Sequence, residues 1–155
     1  MLEKEGFIML VGLNINATRE YVSKLDPDKG TAKETVFTLG TLDTYVMGRV
    51  RDKLTTIESV TFAGTDAVPA TQLQIHASRI EACRFGIRGW KNLVDENGKE
   101  IEFKTDTITV GFKRYEVVKE DLLKIIPLDV LLELADVILK DNTVTEKEVG
   151  NSESA

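Results

Sequence analysis

Apolar residues recur at alternate positions from Phe7 through Met9, Val11 and Leu13 to Ile15. That two-residue period predicts a strand over residues 7–16. Leu25-Asp26-Pro27-Asp28-Lys29-Gly30 then reads as a turn or exposed loop, because Pro fixes φ and Gly admits positive φ. Thr35-Val36-Phe37-Thr38-Leu39 alternates again with β-branched residues and predicts a second strand, closed by Gly40. From Leu42 the period changes. Leu42, Val46, Val50 and Leu54 fall on one helical face, with Tyr45 and Met47 beside them. Thr41 is the expected cap of this helix, Asp43 suits its first turn, and Arg49, Arg51 and Lys53 suit its end.

A short strand is predicted over 57–62, followed by a linker over 64–69 whose Pro69 marks the next helix start. That helix is expected over about 70–85, with Leu73, Ala77, Ile80 and Phe85 as its apolar stripe and Cys83 nearby. Gly86 and Gly89 terminate it. Asp95-Glu96-Asn97-Gly98 predicts a type I′ hairpin turn between Asn92-Leu93-Val94 and Ile101-Glu102-Phe103. A second hairpin turns at Gly111 between Ile108-Thr109-Val110 and Tyr115-Glu116-Val117-Val118. Helices over about 119–126 and 128–139 complete the pattern, hinged at Pro127. The expected fold is α+β: a small antiparallel sheet or hairpins packed with about three to four helices, the last amphipathic. It forms a single domain over residues 1–141, with 142–155 as a disordered, polar, acidic C-terminal tail.

Length and composition fit one ordinary domain. A chain of 155 residues buries roughly 70% of its unfolded surface and folds without disulfides or metal. Its single cysteine, Cys83, has no intramolecular partner, so a secreted disulfide framework is excluded and a reducing cytosol is the simplest compartment. The apolar run Phe7 to Val11 is flanked by Glu3, Lys4 and Glu5 and by Gly12, too short for a signal core or a bilayer span. The net charge of -6, with scattered Lys and Arg and few aromatics, argues against a nucleic-acid partner.

Candidate chemistry is sparse. His76 is the only histidine, so neither a hydrolytic triad nor a usual zinc site is supplied. Cys83 and His76 share a helix face but stand about 10 Å apart along it, too far for a dyad. In Asp26-Pro27-Asp28-Lys29-Gly30 the glycine comes a place too early for an EF-hand loop and an acidic ligand is missing. The glycines show no phosphate-loop spacing. The expectation is a non-enzymatic protein with no cofactor and no metal.

Trp90, the sole tryptophan, lies in Cys83-Arg84-Phe85-Gly86-Ile87-Arg88-Gly89-Trp90-Lys91-Asn92. It either seals the helix end against the hairpin or, with Arg88, anchors a protein partner, since Trp and Arg dominate interface hot spots. This helix, the Gly-x-x-Gly-Trp-x-Asn stretch, the Asp95-Glu96-Asn97-Gly98 turn, Glu102-Phe103, Ile126-Pro127 and the terminal helix Leu128 to Leu139 follow one another. In that order, and with the strand-then-helix opening from Thr35 to Leu42, they resemble small bacteriophage morphogenesis proteins of the tail assembly chaperone or tail accessory type. The resemblance spans Thr35 to about Glu148. It implies protein–protein binding to phage structural proteins, tail components among them, in the host cytoplasm. A permanent virion part, such as a head–tail connector or capsid-associated protein, and a small host-directed inhibitor are the alternatives.

The terminal helix would carry such binding. Val130, Leu131, Leu134, Val137 and Ile138 recur at helical spacing, with Glu133, Asp136 and Lys140 away from that face. Leu128, Leu132 and Leu139 widen the stripe beyond what a small sheet covers. Either the helix is nearly buried, or Leu131, Leu132, Leu134 and Ile138 contribute to meeting another chain, a homo-oligomer included.

Overall fold

The computed structural model describes residues 10–56 and 67–142. In chain order these form β1 (Thr18–Tyr21), β2 (Val36–Gly40), α1 (Thr44–Thr56), α2 (Ala67–Gly86), β3 (Ile87–Lys91), β4 (Thr105–Val110), β5 (Lys113–Val118), α3 (Glu120–Leu123) and α4 (Leu128–Asp141). The fold is α+β. β1, β2 and β3 make an antiparallel sheet in that order, and β4 and β5 make a separate hairpin.

α2 organises the rest. One flank packs on α1 and the other on α4, while β5 and β3 lie against it. Val46 and Val50 of α1, with Leu42 just before it, meet Ala82, Cys83 and Phe85 of α2, and Leu134, Ala135 and Ile138 of α4 fill the other side. Ion pairs cross both seams: Arg49 with the buried Glu81, and Arg79 with Asp136. Arg49 also lies over the Phe85 ring at 5.8 Å, so its charge is used twice. Close approach of α2 and α4 depends on Gly86, where an added Cβ would stand 2.5 Å from Ile138 Cδ1. Only a residue without a side chain fits there.

Several expectations are corrected. The described part of the predicted first strand, from Leu10 to Asn16, is not a strand, and Leu10, Val11, Leu13 and Ile15 are exposed. Asn14 diverts it: its carbonyl accepts from Ala17 N–H at 3.1 Å and its Oδ1 from Asn16 N–H at 3.2 Å, replacing ladder bonds with a local turn. The strand is instead the polar Thr18–Tyr21, an edge element whose pairing with β2 sets Tyr21 opposite Phe37. The cap of α1 is Asp43, not Thr41; Asp43 Oδ1 accepts from Val46 N–H at 2.9 Å. α2 starts at Ala67, before the predicted residue 70, because Pro69 falls in its first turn, where an N–H has no partner to lose. The predicted strand over 57–62 and residues 64–66 of the predicted linker lie outside the described residues.

Ile87–Lys91 is a strand where a helix-terminating loop was expected. Phe37 pairs with Trp90, and the chain leaves α2 directly into β3. The turn at Asp95–Gly98 is present with a different geometry. Gly98 has φ 78°, Glu96 and Asn97 do not have positive φ, and Gly98 N–H bonds to Asp95 O at 2.9 Å. This is a type I turn closed by a glycine in the left-handed region, and a type I′ turn would need positive φ at both central residues. Asp95 Oδ1 selects it by accepting from Asn97 and Lys99 N–H. Its arms make one isolated bridge, Val94 to Glu100, not a ladder. The Gly111 hairpin forms as predicted, from Thr105 to Val118. The helix expected over 119–126 shortens to α3, and Asn142, assigned to the tail, belongs to the fold. Its side chain accepts from Leu42 N–H at 3.1 Å and donates to Leu42 O, joining the end of α4 to the start of α1. The rest of the predicted tail lies outside the described residues.

Candidate protein interface

Pro127 shapes an apolar groove at the surface. α3 stops because Pro127 lacks an N–H and restricts the residue before it, so Ile125 and Ile126 N–H fall back on Leu122 and Leu123 carbonyls. Pro127 O then accepts Leu131 N–H at 3.0 Å and starts α4. The resulting elbow sends Leu123, Ile126 and Leu131 inward and leaves Ile125 and Leu128 52% and 42% exposed. Between elbow and α2 lies a groove of about 310 Å³, floored by Ile80, Leu123, Ile126, Leu128 and Leu131, with Glu120 and Lys124 at its rim.

The sequence-predicted binding residues separate. Leu134 and Ile138 are buried in the chain's own core and meet no partner. Leu131, buried at 4% exposure, touches the groove as part of its floor. Leu132 is half-buried on the flank of α4. Trp90 is half-buried and structurally committed: its Nε1–H donates to Ile101 O at 2.8 Å, and its ring meets Phe37 and Phe103 edge-on, at 6.2 and 4.9 Å. It seals β3 against the following segment. Arg88 clamps element ends, donating from Nε to Phe85 O at 3.0 Å and from Nη2 to Thr41 O at 2.8 Å. Neither Trp90 nor Arg88 borders the elbow groove.

A second cleft of about 240 Å³ opens beside the start of α1, lined by Ile15, Leu42, Val46 and Phe85 as well as by Asp43, Arg88, Lys113, Arg114 and Tyr115. Tyr115 OH donates to Asp43 Oδ2 at 2.5 Å and Lys113 Nζ lies 3.4 Å from the same oxygen. Burial pushes the Asp43 carboxyl up, but the Tyr115 hydroxyl, the Val46 N–H and Lys113 outweigh it and hold the group below its ordinary range. Burial and the Asp43 carboxylate push the Tyr115 phenol up to about 12. Asp43, Arg88 and Tyr115 thus already serve capping or clamping bonds, and the arrangement supplies no unengaged base beside a nucleophile. Cys83, buried and donating to Leu131 O at 3.1 Å, is pushed up to about 12 by burial. His76 lies on α2 two turns from it.

Sequence reading missed Ile125 and Phe112. Phe112 occupies the second position of the Gly111-Phe112 turn, with Gly111 at φ 64° in a type II′-like geometry, and is fully exposed. The signal was available: an aromatic in a two-residue hairpin loop has no sheet face to lie on. Among the described residues no helix is long and apolar enough to cross a membrane. No group of three or more His, Cys, Asp and Glu there could hold a metal ion. No protein-family model, curated protein or solved structure matches this chain.

Proposed function

We propose that this chain acts by binding another protein, as a small phage morphogenesis protein of the tail assembly chaperone type, with the α3–α4 elbow as its docking groove. The observation that carries the binding role is the elbow itself: Leu128 lines an apolar groove and stays exposed, and Ile125 stays exposed on the same elbow, although the same short segment buries Leu123 and Ile126. An exposed apolar cleft with a charged rim is the surface that shields an aggregation-prone component. The phage assignment rests on the sequence resemblance from Thr35 onward.

The test is co-production with tail components of a phage that carries this chain, with soluble yield as the readout. Wild type is expected to keep its target soluble and Leu128→Lys to lose that effect while staying folded. Equal protection by both proteins refutes the groove assignment. Mass spectrometry of assembly intermediates and finished particles then separates the roles. A chaperone occurs in the intermediates alone, a virion part occurs in particles at fixed copy number, and absence from both refutes a role in assembly.

A further inference from the structure

The molecule carries an apolar knob as well as an apolar groove, and they lie at opposite ends of one strand. Phe112 caps the β4–β5 hairpin with its whole side chain in solvent. Six residues on, β5 ends at Val118 and leads through Lys119 into α3 and the elbow. The rise of a strand puts knob and groove roughly 20 Å apart. β5 is paired with β4 along its length and its last residues, Val117 and Val118, are buried, so Phe112 has no path to its own groove. Charge follows the same polarity. Arg114 stands exposed beside the knob, next to Lys113, which is exposed but already paired with Asp43, while at the elbow exposed Glu120, Asp121 and Asp129 outnumber Lys119 and Lys124.

We infer that the groove accepts Phe112 from a second copy of this chain, giving head-to-tail association. This rests on the reading of the elbow as a protein-binding groove and names one occupant of it. A groove of about 310 Å³ has room for a phenyl ring. The contact is heterologous, so each copy offers one knob and one groove, and repetition builds a ring or a filament in place of a closed two-fold dimer. A single aromatic buries only about 150–250 Å², well below the ~1,200–2,000 Å² of a stable interface. The association is therefore weak and reversible. Attraction between the basic tip and the acidic elbow makes it weaken with salt.

Sedimentation of the full chain from about 10 μM to 1 mM tests this with wild type, Phe112→Ser, Leu128→Lys and an equimolar mixture of the two variants. Wild type is expected to grow past the dimer mass with concentration, and each variant alone to stay monomeric. The mixture is expected to reach a dimer and stop, since it pairs one intact knob with one intact groove. A wild type that stays monomeric, a Phe112→Ser protein that associates like wild type, or a monomeric mixture overturns the inference. Should Leu128→Lys unfold, Glu120→Lys at the exposed rim takes its place, with association expected to weaken several-fold; an unchanged constant counts against the inference. The two readings fail separately. If wild type is monomeric but the groove variant still loses protection of a tail component, self-association falls and the binding groove stands. If Phe112→Ser stops self-association and leaves protection intact, both stand.

Discussion

Glu133 was expected on the solvent side of α4, yet it holds the β1 end of the sheet to that helix. Its Oε2 accepts from the Tyr21 hydroxyl at 2.5 Å and from Lys24 N–H at 2.8 Å, and its Oε1 accepts from the Ser23 hydroxyl at 2.5 Å. Ser23 is 3% exposed, so water does not readily replace the carboxylate there. A hydrogen bond to a charged acceptor contributes about 1.5–3 kcal/mol. Partial solvent access at Tyr21 and Lys24 keeps the sum well below three such terms, and Glu133→Ala should cost about 2–3 kcal/mol. In a chain of this size that lowers Tm by roughly 5–10 °C. Glu133→Gln keeps one acceptor oxygen but turns the other position into a donor, and should cost about half as much. Burial pushes the Glu133 carboxyl up, but the Lys24 N–H, the two hydroxyls and the Lys24 charge outweigh it, leaving the group below its ordinary value. The unfolded chain therefore takes up the proton more readily than the folded one. The stabilisation is complete above the unfolded value, about 4.3, and is lost as pH falls through the lower folded value. Urea unfolding of wild type and Glu133→Gln at pH 7 and near pH 3 measures this, and the gap between them should close in acid. A loss under about 0.5 kcal/mol for Glu133→Ala, or a gap unchanged between the two pH values, refutes the reasoning.

Gly86→Ala should cost about 1–3 kcal/mol by pressing a methyl group against Ile138; a melting temperature equal to wild type would show that α2 and α4 part freely. Asp43→Ala should cost about 1–2 kcal/mol through the lost cap and the stranded Tyr115 hydroxyl, while Asp43→Asn, which keeps a capping oxygen, should cost clearly less. Calorimetry ranks the two, and the opposite order refutes the cap. Cys83 should react with a thiol reagent only on unfolding, since burial and its bond to Leu131 O keep it protonated. Rapid labelling of the native protein would contradict that.

Helical spacing carried most of the legible part of the fold. Leu42, Val46 and Val50 are buried as their period predicts, and Leu54 at the far end of that face is exposed. Where local chemistry competes with period, the reading failed. Residues 10–16 have the alternation of a strand, yet the Asn14 side chain turns the chain, and among the described residues no strand pairs with it. Conversely, Thr18–Tyr21 has no apolar alternation, and its strand exists because β2 pairs with it and Glu133 fixes Tyr21, Ser23 and Lys24 at its far end. Both facts are tertiary, and nothing in residues 18–21 announces them. Ile87–Lys91 was obscured by its glycines, which read as helix terminators. Gly89 is instead a strand residue facing Thr38, and Gly86 is there to let α4 approach.

The candidate site was half legible, and α4 shows why. Its stripe is wide, extended by Leu128, Leu132 and Leu139, and from sequence it fits either near-complete burial or a partly covered face; Leu139 packs on the core while Leu128 stays exposed. Period does not tell which edge of a wide stripe is the buried one. That is decided by the neighbours: α2 lies over Leu134, Ala135 and Ile138, which puts these positions beyond a partner's reach. The surplus appears instead at the N-terminal end, where Pro127 breaks the chain between α3 and α4 and Leu128 emerges beside Ile125. A proline hinge read as punctuation is thus the element that shapes the groove. Burying Leu128 would need a longer α3 to fold over it, and Pro127 prevents that by denying the helix an N–H and the preceding residue its helical geometry. The exposed apolar edge follows from that break in the chain, so α4 serves the core along one face and presents surface at its start.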